Sequence, residues 1–188
     1  MLIFFNRNGK RNTGITTKLE GQMRALMSVY FQNKEHVVVG VISDTHGLLL
    51  SAAIKALHGV DLIIHAGDIG NTGVMDELKS IAPVVAVRGN MDMSEDLREL
   101  PETEAIQVGD VLLYIIHDIQ NLDIAPSEAN FNAVIFGHLH YPSVTELNGV
   151  LFVNPGSAAQ PRQNSSATLA LLHIRGNSIK TQIVDIVD

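Results

Sequence analysis

The sequence contains no cysteine, which excludes both disulfide bonds and metal sites built from thiolates. It also lacks an apolar run of the length that a membrane span requires, because Gly, Asp, His or Pro interrupts each longer stretch. The short apolar run at residues 2–5 follows no basic residue, which argues against a signal peptide. We therefore expect a soluble, cytoplasmic protein without a membrane partner.

Residues 1–36 differ in character from the rest of the chain. Residues 6–17 are polar and basic and contain two glycines, which predicts a loop or disorder. Residues 18–31 carry apolar side chains at roughly helical spacing, which indicates one helix. We expect a loosely ordered N-terminal extension over residues 1–36 and one domain over residues 37–188. A regulatory or oligomerising arm, and with it a homo-oligomer, is the alternative for the extension.

From residue 37 onward, predicted strands and helices alternate, and after Pro101 the pattern changes to hairpins. Apolar spacing predicts helices over residues 48–57, 73–81 and 94–99. Turn residues predict three hairpins. Their strands are residues 105–108 paired with 111–116, residues 144–147 paired with 150–153, and residues 168–174 paired with 179–186. Parallel strands with crossover helices, followed by antiparallel hairpins, indicate an α/β fold of two packed sheets flanked by helices.

Five apolar runs are each followed by polar residues of the kind that bind metals. The runs are residues 37–42, 62–64, 84–87, 111–116 and 133–136, and the polar residues after them are, in order, Asp44 and His46, Asp68, Asn90, His117, and His138 and His140. Buried strands of a mostly parallel sheet read as continuous apolar runs, and ligands bind beyond their carboxyl ends. The five strand ends therefore predict one site rather than five.

The polar residues of this set supply two carboxylates, one amide and four imidazoles. We expect them to bind two divalent metal ions, with Mn as the first choice and Zn, Fe, Ni or Co as alternatives, because the set has too much nitrogen for Ca or Mg. Seven ligands exceed what one ion takes from a protein, whereas two ions that share a carboxylate fit the number. Two ions about 3.5–4 Å apart activate a bridging water and clamp phosphoryl oxygens, so a hydroxide held by both would be the nucleophile.

Taken in order, these motifs resemble those of the calcineurin-like metallophosphoesterase superfamily, and most closely its small single-domain branch of bacterial and archaeal phosphodiesterases. The motifs are Asp44-x-His46, Gly67-Asp68, Gly89-Asn90, His117 and Gly137-His138-x-His140. The resemblance covers residues 37–188 and implies a four-layer α/β/β/α sandwich of two mixed sheets flanked by helices.

The resemblance also implies which residues hold each metal. One ion would be held by Asp44, His46, Asp68 and His140, and the other by Asp68, Asn90, His117 and His138. Asp68 would bridge the two ions, and the resemblance implies catalytic roles for Asp68, Asn90 and His138.

The chain departs from the superfamily pattern beside two of the ligands. Many members have His directly after the Asn ligand, where it can protonate the leaving group, but this chain has Met91. The lack of a general acid removes a factor of roughly 10²–10⁴ and favours phosphodiesters with good leaving groups. His117 is followed by Asp118 instead of the common Gly, and this carboxylate either orients the ligand or repels phosphate. No lid insertion is visible, so we expect an open site.

Other polar residues near the motifs have both a functional and a structural interpretation. Arg88 and Arg162 suit the geometry of a substrate phosphate, but each also suits a surface ion pair. His65 is expected to support the ligands rather than to bind metal, and Asp92 is interpreted as the cap of a turn. Residues 154–157 match a family segment beside the site, although a tight turn alone explains their Pro and Gly.

The charge distribution helps to choose among functions. Residues 1–36 contain six basic and two acidic side chains, whereas the remainder contains seven basic and 18 acidic ones, a net charge of −11. An acidic body disfavours nucleic acids, which bind basic surfaces, although the basic extension keeps a nuclease open. We expect a metal-dependent phosphodiesterase with a small phosphodiester substrate. The alternatives are a phosphomonoesterase, and a non-catalytic protein-binding scaffold such as the retromer subunit that resembles this family.

Overall fold

Two five-stranded β-sheets pack face to face in the computed structural model, which describes residues 34–162 and 166–186. The strands are β1 (Val37–Ile42), β2 (Leu62–His65), β3 (Val84–Ala86), β4 (Thr103–Val108), β5 (Val111–Ile116), β6 (Ala133–Ile135), β7 (Pro142–Leu147), β8 (Val150–Pro155), β9 (Ala167–Arg175) and β10 (Ser178–Ile186). The α-helices are α1 (Ser51–Leu57), α2 (Thr72–Ile81) and α3 (Glu95–Arg98), and a 3-10 helix spans Ile119–Asn121.

The strand order places the carboxyl ends of the parallel strands at one edge of each sheet. The first sheet has the order β10-β9-β1-β2-β3, in which β1, β2 and β3 are parallel and β9 is antiparallel to β1. The second sheet has the order β4-β5-β6-β8-β7, in which β5, β6 and β8 are parallel. The loops that leave parallel neighbours therefore lie side by side, which is where ligands bind in such sheets.

Apolar side chains cover both faces of the first sheet, which explains the unbroken apolar run of β1. Val39 and Val41 point between the two sheets, where they belong to the same cluster as Leu113 of β5. Ile42 points to the opposite face and belongs to the cluster that includes Leu57 of α1. Successive side chains of a strand alternate between faces, so a strand buried on both sides must be apolar at every position.

The outer face of the second sheet is covered by a short segment that follows β5. Tyr114 meets Phe131 edge to face, with ring centroids 5.2 Å apart, and Ile119 of the 3-10 helix and Leu122 pack against the same cluster. The predicted α/β fold of two mixed sheets flanked by helices is confirmed. Its outer layer on this side consists of a 3-10 helix and a turn instead of a long α-helix.

The three predicted hairpins are present, and the predicted helices differ from the structure mainly at their starts. The first begins at Ser51 rather than at residue 48. Residues 48–50 are not helical, and Leu50 at the N-cap is extended, with φ −68° and ψ 145°. Ser94 lies at the N-cap of α3, but its side chain makes no capping hydrogen bond. The helix predicted over residues 18–31 lies outside the described residues. Within the described ranges, no helix is long and apolar enough to cross a membrane.

Candidate metal centre

Backbone hydrogen bonds join the loops after β1 and β2 beyond the ends of both strands. The N–H of Asp44 donates to the carbonyl of Gly67, and the N–H of His46 donates to the carbonyl of Asp68, both at 3.0 Å. This pairing continues the parallel ladder of the two strands into the loops. It brings Asp44, His46 and Asp68 together at the edge of the first sheet, as the sequence pattern predicted for strand ends.

Most of the predicted ligands have a backbone conformation that non-glycine residues rarely adopt. The ligands with positive φ are Asp44 (55°), His46 (46°), Asp68 (55°), His138 (70°) and His140 (60°). Among the other described non-glycine residues, only Asn130 and Asn148 have positive φ, and Asn tolerates that conformation well. Such conformations cost about 1–3 kcal/mol each and concentrate at functional sites. The strained positions therefore mark this cluster independently of its side-chain chemistry.

One group of ligand atoms comprises Asp44, His46 and His140, which lie within 4.8 Å of one another. His140 Nδ1 lies 2.7 Å from the carbonyl oxygen of Gln160, which can only accept, so Nδ1 carries the proton. In the neutral ring the Nε2 lone pair then faces Asp44 Oδ1 at 3.2 Å and His46 Nε2 at 3.4 Å. Asp44 Oδ1 is buried without a hydrogen-bond partner. A cation among these atoms would accept the Nε2 lone pair of His140 and offset the charge of Asp44.

A second group is centred on His117, which is buried. Its Nδ1 lies 2.7 Å from the carbonyl oxygen of Ala66, so in the neutral ring Nε2 again carries the lone pair. This Nε2 lies 3.4 Å from Asp68 Oδ2 and 3.2 Å from Asn90 Oδ1. Asn90 Oδ1 also lies 3.1 Å from Nδ1 of His138. Two imidazoles, a carboxylate and an amide oxygen therefore converge in the same way.

The two groups adjoin each other through the carboxylates. Asp44, Asp68 and His117 also lie within 4.8 Å of one another, so Asp44 belongs to both groups by distance. The structure thus brings all seven predicted ligand side chains into one continuous cluster. Their division between two ions, and the bridging role of Asp68, stay predictions.

Glycines beside the carboxylates provide the space that the cluster needs. A Cβ on Gly89 would lie 2.0 Å from Asp68 Oδ1, and a Cβ on Gly137 would lie 2.0 Å from Ser43 Oγ. Any side chain at these positions would push the carboxylate loops apart. The space, the partnerless oxygen of Asp44 and the mixed nitrogen and oxygen donors fit divalent transition-metal ions.

Burial and charge shift the pKa values of three ligands in different directions. Burial raises the pKa of Asp44, and the hydrogen bond from Ser43 offsets this only in part. Burial also acts to raise the pKa of Asp68, but the hydrogen bond and charge of His117 outweigh it, and the pKa is lowered. Burial acts to lower the pKa of His117, but Asp68 raises it by more. A metal ion at His117 would therefore compete with protons, and we expect its binding to strengthen as pH rises.

His65 is fully buried and connects the loops after β1 and β2 as a neutral ring. The hydroxyl of Thr45 donates to the carbonyl of Ile69 at 2.9 Å, so it must accept from His65 Nε2, also at 2.9 Å. His65 Nδ1 accepts from the N–H of Gly67 at 3.2 Å. Burial lowers the pKa of His65 to about 3, so the ring stays neutral at ordinary pH. These contacts match the supporting role that the sequence predicted.

Asp92 has a larger role than the turn cap that the sequence suggested. Its carboxylate is 2% exposed and accepts from the N–H of Gly70 at 2.9 Å and from the N–H of Gly89 at 2.8 Å. These two glycines belong to the loops that carry Asp68 and Asn90. The carboxylate therefore fixes the separation of the two loops. Its position two residues after Asn90 was the available signal, but the contact with Gly70 spans 22 residues and could not be read from spacing.

Replacing Asp92 by asparagine should lower the free energy of unfolding by about 2 kcal/mol, because an amide nitrogen would face a backbone N–H and leave it without an acceptor. Urea unfolding followed by circular dichroism measures this loss. Asp96→Asn, an exposed change in α3, is the matched control and should shift stability by less than about 0.5 kcal/mol. Equal stability of the two variants would show that Asp92 does not hold the loops.

The turn at residues 154–157 braces the ligand loops from the second sheet. Asn154 Nδ2 donates to the carbonyl of Gly137 at 2.7 Å, and Ser157 Oγ donates to the carbonyl of Asp44 at 2.9 Å. Both side chains are buried. The Pro and Gly of this segment form the turn, and its polar side chains hold the loops that follow β1 and β6.

The two arginines that suited a substrate phosphate lie in different surroundings. Arg88 donates to the carboxylate of Glu102 at 2.6 Å and to the carbonyl of Arg98 at 3.0 Å, which is the surface ion pair that the sequence left open. Arg162 is exposed and lies two residues after Gln160, whose carbonyl binds a candidate ligand. The phosphate role of both arginines stays a prediction, and the position of Arg162 favours it over Arg88.

Asp118 caps the 3-10 helix that follows it. Its carboxylate accepts from the N–H of Gln120 at 3.0 Å and from Nδ2 of Asn121 at 3.2 Å. The residue that replaces the common Gly of the superfamily pattern therefore supports the local turn that covers the second sheet.

Comparison with known proteins identifies the family. The family model of the calcineurin-like phosphoesterase superfamily domain matches residues 37–177. The chain belongs to the calcineurin-like phosphoesterase superfamily. The predicted family is thus confirmed, and the match begins at the first residue of β1.

Relatives of this calcineurin-like phosphoesterase include archaeal proteins that are named as phosphoesterases. A probable metallophosphoesterase from Methanocaldococcus jannaschii is 34% identical over 151 residues, which cover 73% of this chain and 77% of the relative. A phosphodiesterase from the same organism is 29% identical over 136 residues, covering 63% of this chain and 82% of that one. Vacuolar protein sorting 29 from Cryptosporidium parvum shares the fold, with a TM-score of 0.71, 22% identity and coverage of 82% and 94%.

Proposed function

We propose that this calcineurin-like phosphoesterase is a phosphodiesterase that hydrolyses small phosphodiesters with two divalent metal ions. The observation that carries the proposal is the continuous cluster of seven nitrogen and oxygen donor side chains, in which Nε2 of His140 faces Asp44 and Nε2 of His117 faces Asp68. The relative named as a phosphodiesterase supports the choice of reaction. Bound metal ions would supply the charge that activates water and neutralises the phosphate.

The burial of the ligands indicates how the site meets its substrate. Asp44, Asp68 and His117 form the buried side of the cluster, whereas Asn90 is exposed and His138 is partly buried. We therefore assign the buried residues to holding the metals. Asn90 and His138 lie on the side that a phosphate can approach, so we assign them, together with Asp68, to catalysis. Mn²⁺ is the first choice of metal, with Zn, Fe, Ni or Co as alternatives, because imidazole and carboxylate ligands suit all of them.

Two features favour diesters over monoesters. Met91 follows Asn90 directly and cannot donate a proton to a departing alkoxide, so a good leaving group is required. The acidic body, with its net charge of −11, repels a phosphomonoester dianion more strongly than a diester monoanion. The same charge disfavours a long nucleic acid as the substrate.

Metal-free protein should hydrolyse bis-p-nitrophenyl phosphate at less than about 1% of the rate reached with added Mn²⁺, because no side chain in the cluster is itself an activated nucleophile. With Mn²⁺, kcat/KM for the diester should exceed that for p-nitrophenyl phosphate at least about tenfold, because the general acid is missing. Release of p-nitrophenol measures both rates. Faster hydrolysis of the monoester would favour the phosphomonoesterase alternative.

A protein-binding scaffold is the second candidate function, because vacuolar protein sorting 29 from Cryptosporidium parvum has the same fold. The observation against it is that all seven ligand types are present and adjacent in this chain. Hydrolysis by metal-loaded protein separates the two functions, and plasma mass spectrometry confirms that the metal is bound. Protein that holds Mn, Zn, Fe, Ni or Co and yet hydrolyses neither ester would favour the scaffold.

A further inference from the structure

Large apolar side chains are exposed on the loops that carry the predicted metal ligands. Six such side chains are exposed among the described residues, and four lie within three residues of a predicted ligand. The four are Leu48 (52% exposed), Met91 (58%), Met93 (63%) and Tyr141 (51%). Three residues of chain reach at most about 11 Å, so the backbone of each of the four lies near a predicted ligand. We call these four residues the apolar rim.

The apolar rim is built by three separate loops, those after β1, β3 and β6. Single exposed apolar residues are normal on protein surfaces, but their occurrence on three loops that each carry predicted ligands points to a binding role. The backbone of the Met91 loop is fixed, since the N–H of Met91 donates to Asp68 Oδ1 at 2.8 Å. The backbone of Met91 is therefore held next to Asp68, while its exposed side chain can change rotamer.

The chemistry of the rim selects one kind of group. The thioethers of Met91 and Met93 are flexible and polarisable, and sulfur makes favourable contacts with aromatic rings. Tyr141 offers a flat ring on which another ring can stack. A flat aromatic group can gain from contact with a thioether or with the Tyr141 ring, whereas a branched sugar would gain less from either.

We propose that the apolar rim binds a flat aromatic ester group, an aryl ring or a nucleobase, on the phosphodiester that the metal centre cleaves. The inference rests on the proposed phosphodiesterase function and names its substrate class. The rim would hold this group beside the phosphate, and the acidic surroundings would leave the neutral ring unaffected. The specificity of the enzyme would then come from the ester group that stays attached to phosphorus as much as from the leaving group.

Diesters that share p-nitrophenol as the leaving group isolate this effect. With the full chain and Mn²⁺, kcat/KM for phenyl p-nitrophenyl phosphate should exceed that for methyl p-nitrophenyl phosphate at least about tenfold. Tyr141→Asn and Met93→Gln should each reduce this ratio at least about threefold, because each removes one contact with the aromatic group. Tyr141→Phe keeps the ring and should keep the ratio. Leu147→Gln is the matched control, because Leu147 is 59% exposed at the far end of β7.

Calorimetric titration of Mn²⁺-loaded protein with diphenyl phosphate and dimethyl phosphate gives a readout that needs no turnover. Diphenyl phosphate should bind at least about tenfold more tightly, and Tyr141→Asn should remove the difference. Hydrolysis with a ratio near one, or with a ratio that Tyr141→Asn leaves unchanged, would contradict aromatic binding by the apolar rim and leave the proposed phosphodiesterase function intact. Tyr141-dependent binding of diphenyl phosphate without hydrolysis of any diester would support the apolar rim and contradict the phosphodiesterase function. Equal binding of the two phosphates without hydrolysis would contradict both proposals.

Discussion

Replacing Asp68 by alanine should lower Mn²⁺-dependent hydrolysis of bis-p-nitrophenyl phosphate by at least about 10³-fold. Asp68 lies 3.4 Å from His117 Nε2 and within 4.8 Å of the Asp44 carboxylate, so it is placed to serve both proposed ions. Loss of a group that merely supports a metal ligand costs about 10–100-fold, and a shared ligand should cost more. Asn90→Ala should have a similar effect, because Asn90 meets both His117 and His138.

Folding and metal content decide how such a loss is interpreted. Circular dichroism and thermal unfolding should show that Asp68→Ala remains folded, since the change removes contacts with His117 and Met91 but leaves the apolar core between the sheets intact. Metal bound per chain should fall in parallel with activity. Asp76→Ala, an exposed change in α2, should leave both at the wild-type level. A folded Asp68→Ala protein with wild-type turnover would exclude the proposed centre.

Replacing Met91 by histidine should raise the rate on diesters with poor leaving groups by about 10²-fold, the lower end of the gain from general-acid catalysis. Met91 is exposed beside Asn90, so a polar side chain of similar size can be accommodated without repacking the core. Diesters with good leaving groups should gain much less, because p-nitrophenolate departs without protonation. The Brønsted dependence of kcat on leaving-group pKa should accordingly become flatter.

Two comparisons make the Met91 result specific. Met91→Gln also introduces a polar side chain but cannot transfer a proton, so it should not accelerate poor leaving groups. The gain from histidine should fall as pH rises above the ordinary imidazole pKa of about 6.5, since the acid must be protonated. An equal gain on good and poor leaving groups, or a gain with Met91→Gln, would rule out a missing general acid.

The strands and hairpins could be predicted because the sequence signals for them are local. The apolar run of β1 is continuous since both faces are buried, and Asn148 and Gly149 adopt the positive φ that their hairpin turn requires. The first helix was predicted three residues too early. Leu48 to Leu50 are apolar, and apolar spacing alone does not distinguish a helical turn from an extended loop packed against the core.

The candidate site could be predicted in its ligand types but not in its supporting contacts. Asp44, His46 and the other ligands follow strand ends, and parallel strands bring such ends together. The contact of Asp92 with Gly70, and the capping role of Asp118, depend on loop conformations that spacing does not encode. The exposure of the Met93 and Tyr141 side chains also depends on loop conformation, so it could not be predicted from the sequence.

The pairing of β1 with β9 bears on the order in which the first sheet can close. One edge of β1 (Val37–Ile42) pairs with β2, but the other pairs with β9, which begins only at Ala167. Folding of a nascent chain proceeds from its N-terminus, so that edge of β1 stays open until β9 has been synthesised. A fragment that ends before Ala167 should therefore expose an unpaired strand edge and aggregate more readily than the full chain.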